Sequence, residues 1–150
     1  MRIAIAGDHG GFSLKGPLVE RLRAIGHEVN DLGAYDDKRS DYPDFSKLVG
    51  EALVRGEAER GIVLCGSGVG ASIAANKMRG IRASVCHDTY SARQGVQHDD
   101  MNVLVIGARI IGIELATDIA KEFAAAHFLG TPPYTTRLEK VERMEQGFCN

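Results

Sequence analysis

Cys65 closes the apolar run Ile62-Val63-Leu64 and is followed at once by Gly66-Ser67-Gly68-Val69-Gly70 and the small-residue stretch Ala71-Ser72-Ile73-Ala74-Ala75. An apolar run, a glycine turn and a helix-forming stretch in that order read as strand, turn and helix. Such a turn lets backbone N–H groups and the start of the helix face an anion, so a negatively charged ligand is expected there. A helix N-terminus draws a thiol pKa from about 8.5 toward 7. The thiolate fraction at neutral pH then rises from a few per cent to about half, as a base poised near working pH requires. The bland alternative is a small buried apolar residue at a strand end, the reading that holds for Cys86.

Ligands of open parallel sheets bind beyond the carboxyl ends of the strands. Asp8 and His9 follow the first strand-like run, Cys65 and Ser67 the third, His87 and Asp88 the fourth and Arg109 the fifth, while His98, Asp99 and Asp100 stand just ahead of the fifth. Three chemistries compete for these residues. The first is general acid–base work on a small anionic substrate, with Cys65 as base. The second is a dinucleotide site: Gly66, Gly68 and Ala71 match G-x-G-x-x-A, and Asp88 lies 22 positions beyond Gly66, near the spacing of a ribose-binding acid. That match sits on the third strand with no substrate domain after it, and Asp88 also reads as the N-cap of the helix over Thr89 to Gln94. The third is a metal site from Asp8-His9, His87-Asp88 and His98-Asp99-Asp100, none of which has the i, i+4 spacing of a helical ligand pair. His27 and His127 read as partly exposed polar residues.

Positioning these residues needs a sheet. Strand-like runs at Arg2–Ala6, His27–Leu32, Gly61–Cys65, Arg82–Cys86 and Asn102–Ile106 alternate with helical stretches. That alternation predicts an α/β fold: a Rossmann-like three-layer α/β/α sandwich with a five-stranded parallel sheet. The first helix is expected from Ser13 as N-cap, with Leu14, Leu18, Leu22 and Ile25 on its buried face and Gly26 stopping it. The second carries Phe45, Leu48, Val49, Ala52 and Leu53, the third runs from about Val69 to Met78, a short fourth follows Asp88, and the fifth spans about Ile113 to Ala126. Residues 32–42 form a polar connection expected to wall a site. Pro132 and Pro133 break the chain before a C-terminal helical tail with Leu138, Val141 and Met144 on one side.

The 150 residues, 44% hydrophobic, are expected to form one domain over 1–150. A net charge of −2 without Lys/Arg runs argues against nucleic acid. No stretch approaches transmembrane length and the first residues lack a signal-peptide core, so a cytoplasmic protein off the membrane is expected. Three cysteines, Cys65, Cys86 and Cys149, with no C-x-x-C spacing argue against a disulfide framework or zinc knuckle.

The segments "AGDHGGF", "SDYPDF", "CGSGVGASIAANK", "GIRASVC", "QHDDMNVLVIGAR" and "TRLEKV", in this order along nearly the whole chain, resemble the type B ribose-5-phosphate isomerases and the galactose-6-phosphate isomerase subunits. The resemblance implies an aldose–ketose isomerase working through a cis-enediolate, with no metal or nucleotide cofactor. It also implies a homodimer, or a dimer of dimers, with active sites shared between subunits and the tail from about 130 to 150 on a partner. By position it implies that Cys65 moves the proton between C1 and C2, and that Ser67 with the amides of Gly66, Gly68 and Gly70 forms an anion hole for the enediolate. His98 would open the furanose ring with Asp8 assisting, Tyr42 would touch sugar hydroxyls, and His9, Arg109 and Arg137 would hold the phosphate. A second branch uses a glutamate where this chain has Ala71, which places the chain in the cysteine branch. Two positions depart from the family: Asp99 stands where asparagine is common, and Pro133 where arginine is common, four residues before Arg137. Both fall in the substrate pocket, so ribose 5-phosphate has a competitor in a shorter sugar phosphate such as a tetrulose 4-phosphate.

Overall fold

A computed structural model describes residues 1–147; Cys149 and the last residues of the tail lie outside the described residues. The chain alternates strand and helix: β1 (Arg2–Gly7), α1 (Phe12–Ala24), β2 (Glu28–Asp31), α2 (Tyr42–Val54), β3 (Arg60–Cys65), α3 (Val69–Ala75), β4 (Ala83–Val85), α4 (Thr89–Asp99), β5 (Val103–Gly107), α5 (Ile113–Ala125) and α6 (Tyr134–Gly147). The strands form one sheet in the order β2-β1-β3-β5-β4, every pair parallel.

Strand parity divides the interior into two layers, because alternate side chains leave a strand on opposite faces. Ile3, Ile5, Ile62, Leu64, Leu104 and Ile106 meet α1, α4 and α5 through Leu18, Leu22, Val96, Ile119 and Phe123. Ala4, Ala6, Val63, Cys65, Val103 and Val105 meet α2 and α3 through Val49, Ala52, Ala71 and Ala75. The second layer is made of smaller residues, so α2 lies close to the sheet. A Cβ on Gly61 would come within 2.5 Å of Val49 Cγ1, which explains a glycine in mid-strand. The thick layer carries more apolar burial; truncating the fully buried Phe123 to alanine would cost about 3 to 5 kcal/mol.

Element boundaries differ from the sequence expectation where a tertiary partner intervenes. The N-cap of α1 is Gly11 and not Ser13, which lies exposed in the first turn, because the Asp8 carboxylate already accepts the Gly10 and Gly11 amides at 2.9 and 3.1 Å. Ile25, past the end of α1, is 48% exposed, and Gly26 with φ +96° makes the stop. On α2 the buried stripe is rotated: Ser46, Val49, Gly50 and Ala52 face inward and Leu48 outward. Helix α3 ends at Ala75 rather than Met78, since Asn76 turns its carboxamide onto the edge strand, donating to Ala83 O at 2.8 Å and accepting from Ala83 N at 2.9 Å. The fourth helix is not short: it runs 11 residues and includes His98 and Asp99. The expected tail helix is present as α6, but none of its described residues is buried, and Val141 and Met144 stand mostly in solvent.

Candidate active site

Strand order alternates outward from β1 and β3, so these two neighbours flank the topological switch point, where the helices that follow leave on opposite faces and open a crevice. Asp8 and His9 leave the end of β1 there, and Cys65 ends β3 beside them. Arg109 follows β5, the next strand, whose Ala108 and Arg109 amides bond to the Cys65 and Gly66 carbonyls at 2.8 and 3.0 Å.

Cys65 is almost wholly buried, on the α2/α3 side that its parity with Val63 dictates. The amide of Gly68 donates to its Sγ at 3.0 Å. That contact needs the chain to fold back within three residues, and Gly68 supplies the left-handed φ of +86° that permits it. Ser67, exposed at the mouth, accepts the Val69 amide on Oγ at 3.3 Å. The Gly70 amide, in the first turn of α3, has no intrahelical acceptor.

The walls lie close against this turn. A Cβ on Gly70 would lie 2.7 Å from Tyr42 Cζ, so the tyrosine ring at the start of α2 lies against the turn. A Cβ on Gly66 would be 3.4 Å from the Arg109 guanidinium, which covers the other side. A Cβ on Gly10 would meet Gly66 N at 2.8 Å, placing the Asp8–Gly10 backbone against the turn as well. The connection after β2 does wall the crevice: Ser40 accepts the His9 amide on Oγ at 3.0 Å, and its own amide and carbonyl lie 3.2 and 3.1 Å from His9 Nδ1. The imidazole is thereby held through Nδ1. Arg109 forms no ion pair with any carboxylate among the described residues.

Asp8, His9, Tyr42, Cys65, Gly66, Ser67, Gly68, Gly70 and Arg109 thus converge within one chain. His98, Asp99 and Arg137 do not join them. Helix α4 starts at the carboxyl end of β4 and runs back along the sheet for 11 residues, about 16 Å. Its end is tied to the amino edge of the sheet, where Arg82, just before β4, bonds the Asp100 carbonyl at 2.7 Å and pairs with its carboxylate at 2.5 Å. There His98 stacks on Tyr134, ring centroids 4.4 Å apart, and its Nδ1 faces the Gln94 carboxamide at 2.7 Å. Asp99 and Arg137 line a groove of about 960 Å³ between α6 and the β4 edge.

The competing chemistries meet plain obstacles. Asp88 caps α4, accepting the Ser91 amide at 2.7 Å, and that hydrogen bond holds its carboxyl below the ordinary aspartate range. It follows β4, which β5 separates from the glycine turn, so it is not placed as a ribose-binding acid for that turn. His87 Nε2 accepts the Gly107 amide at 2.9 Å. Among the described residues no three His, Cys, Asp or Glu side chains converge as a metal site. Cys86 is buried, and burial pushes its thiol up to about 11. No described helix is long and apolar enough to cross a membrane. The sequence points to neither Ser40 nor Gln94 as a site residue, apart from the i, i+4 spacing of Gln94 and His98, and to Tyr134 only as a substitute for the arginine missing at Pro133.

A family model described as Ribose/Galactose Isomerase matches residues 3–141. The chain is similar to ribose-5-phosphate isomerase B of Escherichia coli, 44% identical over 145 residues that cover 97% of each chain. It is also similar to D-erythrulose-4-phosphate isomerase 2 of Mycolicibacterium smegmatis, 40% identical over 132 residues covering 85% of this chain and 86% of that one. Among solved structures, ribose-5-phosphate isomerase B of Clostridium thermocellum superposes with a TM-score of 0.96 at 44% identity, covering 99% of both chains.

Proposed function

Because the chain belongs to the ribose/galactose isomerase family and is a sugar-phosphate aldose–ketose isomerase, we propose that it interconverts ribose 5-phosphate and ribulose 5-phosphate, with Cys65 as the base and no metal or nucleotide cofactor. The observation that carries this reading is the buried Cys65 sulfur at the switch point, with the Gly68 amide donating to it at 3.0 Å. The thiolate takes the C2 proton of the open aldose; the C–H electron pair becomes the C1–C2 double bond, and negative charge collects on oxygen. The Ser67 hydroxyl and the glycine-turn amides face that charge, an arrangement worth most where donors are fixed in advance. The O2 proton then passes to O1, the O2 electron pair closes the C2=O double bond, and the C1–C2 pair takes the carbon proton back at C1 to complete the ketose. Tyr42 contacts the sugar hydroxyls, and His9 and Arg109 bind the phosphate, where guanidinium adds orientation to charge.

His98, Asp99 and Arg137 enter from a second copy of the chain. One chain holds His98 and Asp99 at the far end of α4 and Arg137 on α6 beside it, so a two-fold dimer would bring each set to the other subunit's crevice. His98 then opens the furanose with Asp8 assisting, and Arg137 completes the phosphate clamp. The tail from about 130 onward packs on the partner.

Cys65→Ala tests the reading: exchange of the substrate C2 proton with solvent should vanish while binding of a phosphate ligand stays nearly intact. Exchange at close to the wild-type rate would overturn it. A nucleotide-sensing module predicts instead that NAD at about 100 times its dissociation constant adds roughly 2.7 kcal/mol of stability, and no such gain is expected.

A second substrate is favoured by two residues. Losing an arginine at position 133 removes a charge-assisted contact of about 1.5 to 3 kcal/mol, and Asp99 places a carboxylate where a hydroxyl donor is welcome and a phosphate is not. An erythrulose 4-phosphate pair fits that chemistry, and the similar mycobacterial protein bears that activity in its name. The kcat/KM values for ribose 5-phosphate, allose 6-phosphate, galactose 6-phosphate and erythrose 4-phosphate on one preparation decide between them. A preference for ribose 5-phosphate, unchanged in Pro133→Arg, excludes the altered pocket.

A further inference from the structure

His98 is gripped on two sides by residues that the reaction chemistry has not yet used. Gln94 stands one turn earlier on α4 and its carboxamide Nε2 lies 2.7 Å from Nδ1. Tyr134, the first residue of α6, covers one face of the imidazole with its ring, 25° from parallel and 4.4 Å between centroids. One nitrogen and one face are therefore occupied, and Nε2 is the nitrogen left to meet a ligand. We propose that Gln94 and Tyr134 are positioning residues that dedicate His98 Nε2 to opening furanose substrates, a proposal that rests on reading His98 as the ring-opening residue.

The chemistry specifies which way Gln94 must act. In ring opening the neutral Nε2 takes the proton of the anomeric O1–H, the O–H electron pair forms the C1–O1 double bond, and the C1–O4 pair leaves on O4. The imidazolium then returns the proton from Nε2 to O4, and His98 ends as it began. Throughout this cycle the second ring proton must stay on Nδ1, because a neutral imidazole protonated at Nε2 has no lone pair there to accept with. A carboxamide offers either an NH2 or a carbonyl oxygen at nearly the same place by a half-turn. The working orientation is the half-turned one, in which Gln94 Oε1 takes the place of Gln94 Nε2 and Nδ1–H donates to it. Tyr134 fixes the ring plane by offset stacking, a contact that needs the aromatic face and not the hydroxyl.

Substrates divide by whether they need this step. Ribose 5-phosphate closes through O4 to a furanose, whereas ribulose 5-phosphate has its O5 phosphorylated and stays open. The experiment compares turnover of ribose 5-phosphate with solvent-proton exchange at C1 of ribulose 5-phosphate in His98→Ala, Gln94→Leu, Gln94→Glu, Tyr134→Ala and Tyr134→Phe. Gln94→Leu and Tyr134→Ala should lower kcat on ribose 5-phosphate by about tenfold and leave the C1 exchange within about twofold. Gln94→Glu, which can only accept from Nδ1–H, and Tyr134→Phe, which keeps the stack, should retain both activities. A merely structural role would move both substrates together. Equal losses on both, no loss on either, or Gln94→Glu failing like Gln94→Leu would each overturn the proposal. A His98→Ala enzyme without the split, or a wild-type enzyme inert on ribose 5-phosphate, would bring down the underlying reading as well, which separates the two failures.

Discussion

Gly70→Ala should damage the enzyme without damaging the fold. The new Cβ would lie 2.7 Å from Tyr42 Cζ and 3.0 Å from both Cε atoms, well inside the 3.4 Å at which ordinary contact begins, so the ring must withdraw by the better part of an ångström. It can do so cheaply, because Tyr42 is 40% exposed and its ring has room to swing outward. Replacing glycine by alanine in a helix gains up to about 1 kcal/mol in propensity, less in the first turn. The net stability change is therefore near zero or favourable. Activity answers to a different scale: a misplacement of about 1 Å at a substrate-positioning residue can cost about 100-fold. We expect kcat/KM to fall by about 10- to 100-fold in a coupled isomerase assay while Tm from a thermal melt holds or rises. Tyr42→Ala should cost a similar amount, and Gly70→Ala added to Tyr42→Ala should cost nothing further, since neighbours that act through one contact are not additive. Activity within twofold of wild type in Gly70→Ala, or a full additive loss in the double variant, would refute the placement of Tyr42 against the substrate.

Three other outcomes are expected. Lys15 is buried and pairs with both oxygens of the Asp31 carboxylate at 2.5 and 2.6 Å, so Lys15→Met should lose about 2 to 3 kcal/mol in urea unfolding, and adding Asp31→Asn should recover part of it. Asp88→Ala should lower Tm at neutral pH by removing the cap of α4; because the Ser91 hydrogen bond depresses the folded-state pKa, the charge-dependent part of the difference is present above the unfolded value and should fade as pH falls through the folded one. Mixing inactive Cys65→Ala with inactive Arg137→Ala chains under confirmed subunit exchange should restore activity, because one of the two hybrid crevices is then intact; no recovery would refute a site shared between copies.

Reading the sequence reached what neighbouring residues decide among themselves. Five strand-like runs separated by helical stretches, the glycine stop at Gly26, the Asp88 cap and the strand–glycine–helix passage at Cys65 are local patterns, and all are present. The motifs running from "DHGG" to "TRLEKV" pointed to the isomerase family for the same reason: they are words along the chain. At Ser13 a local turn won over the capping signal, since Asp8 binds the Gly10 and Gly11 amides and the helix begins at Phe12; on α2 tertiary packing turned Ser46 inward, where it donates to Ala71 O at 3.1 Å, and left Leu48 outward.

Strand order and helix direction decided the rest. Placing β4 beyond β5 removed Asp88 from the glycine turn, and nothing in a spacing of residues along the chain encodes that exchange. The direction of α4 carries His98 and Asp99, expected just ahead of the fifth strand, away from Cys65 within one chain. The grip of Ser40 on His9 and of Tyr134 on His98 spans 31 and 36 positions of sequence. Local sequence specifies φ/ψ preferences, caps and which face of an element is apolar, whereas the meeting of distant side chains depends on how whole elements pack to bury those faces together. That is why the sequence alone supplied Cys65 and its glycine turn, and only the folded chain divided the candidate residues into two sets.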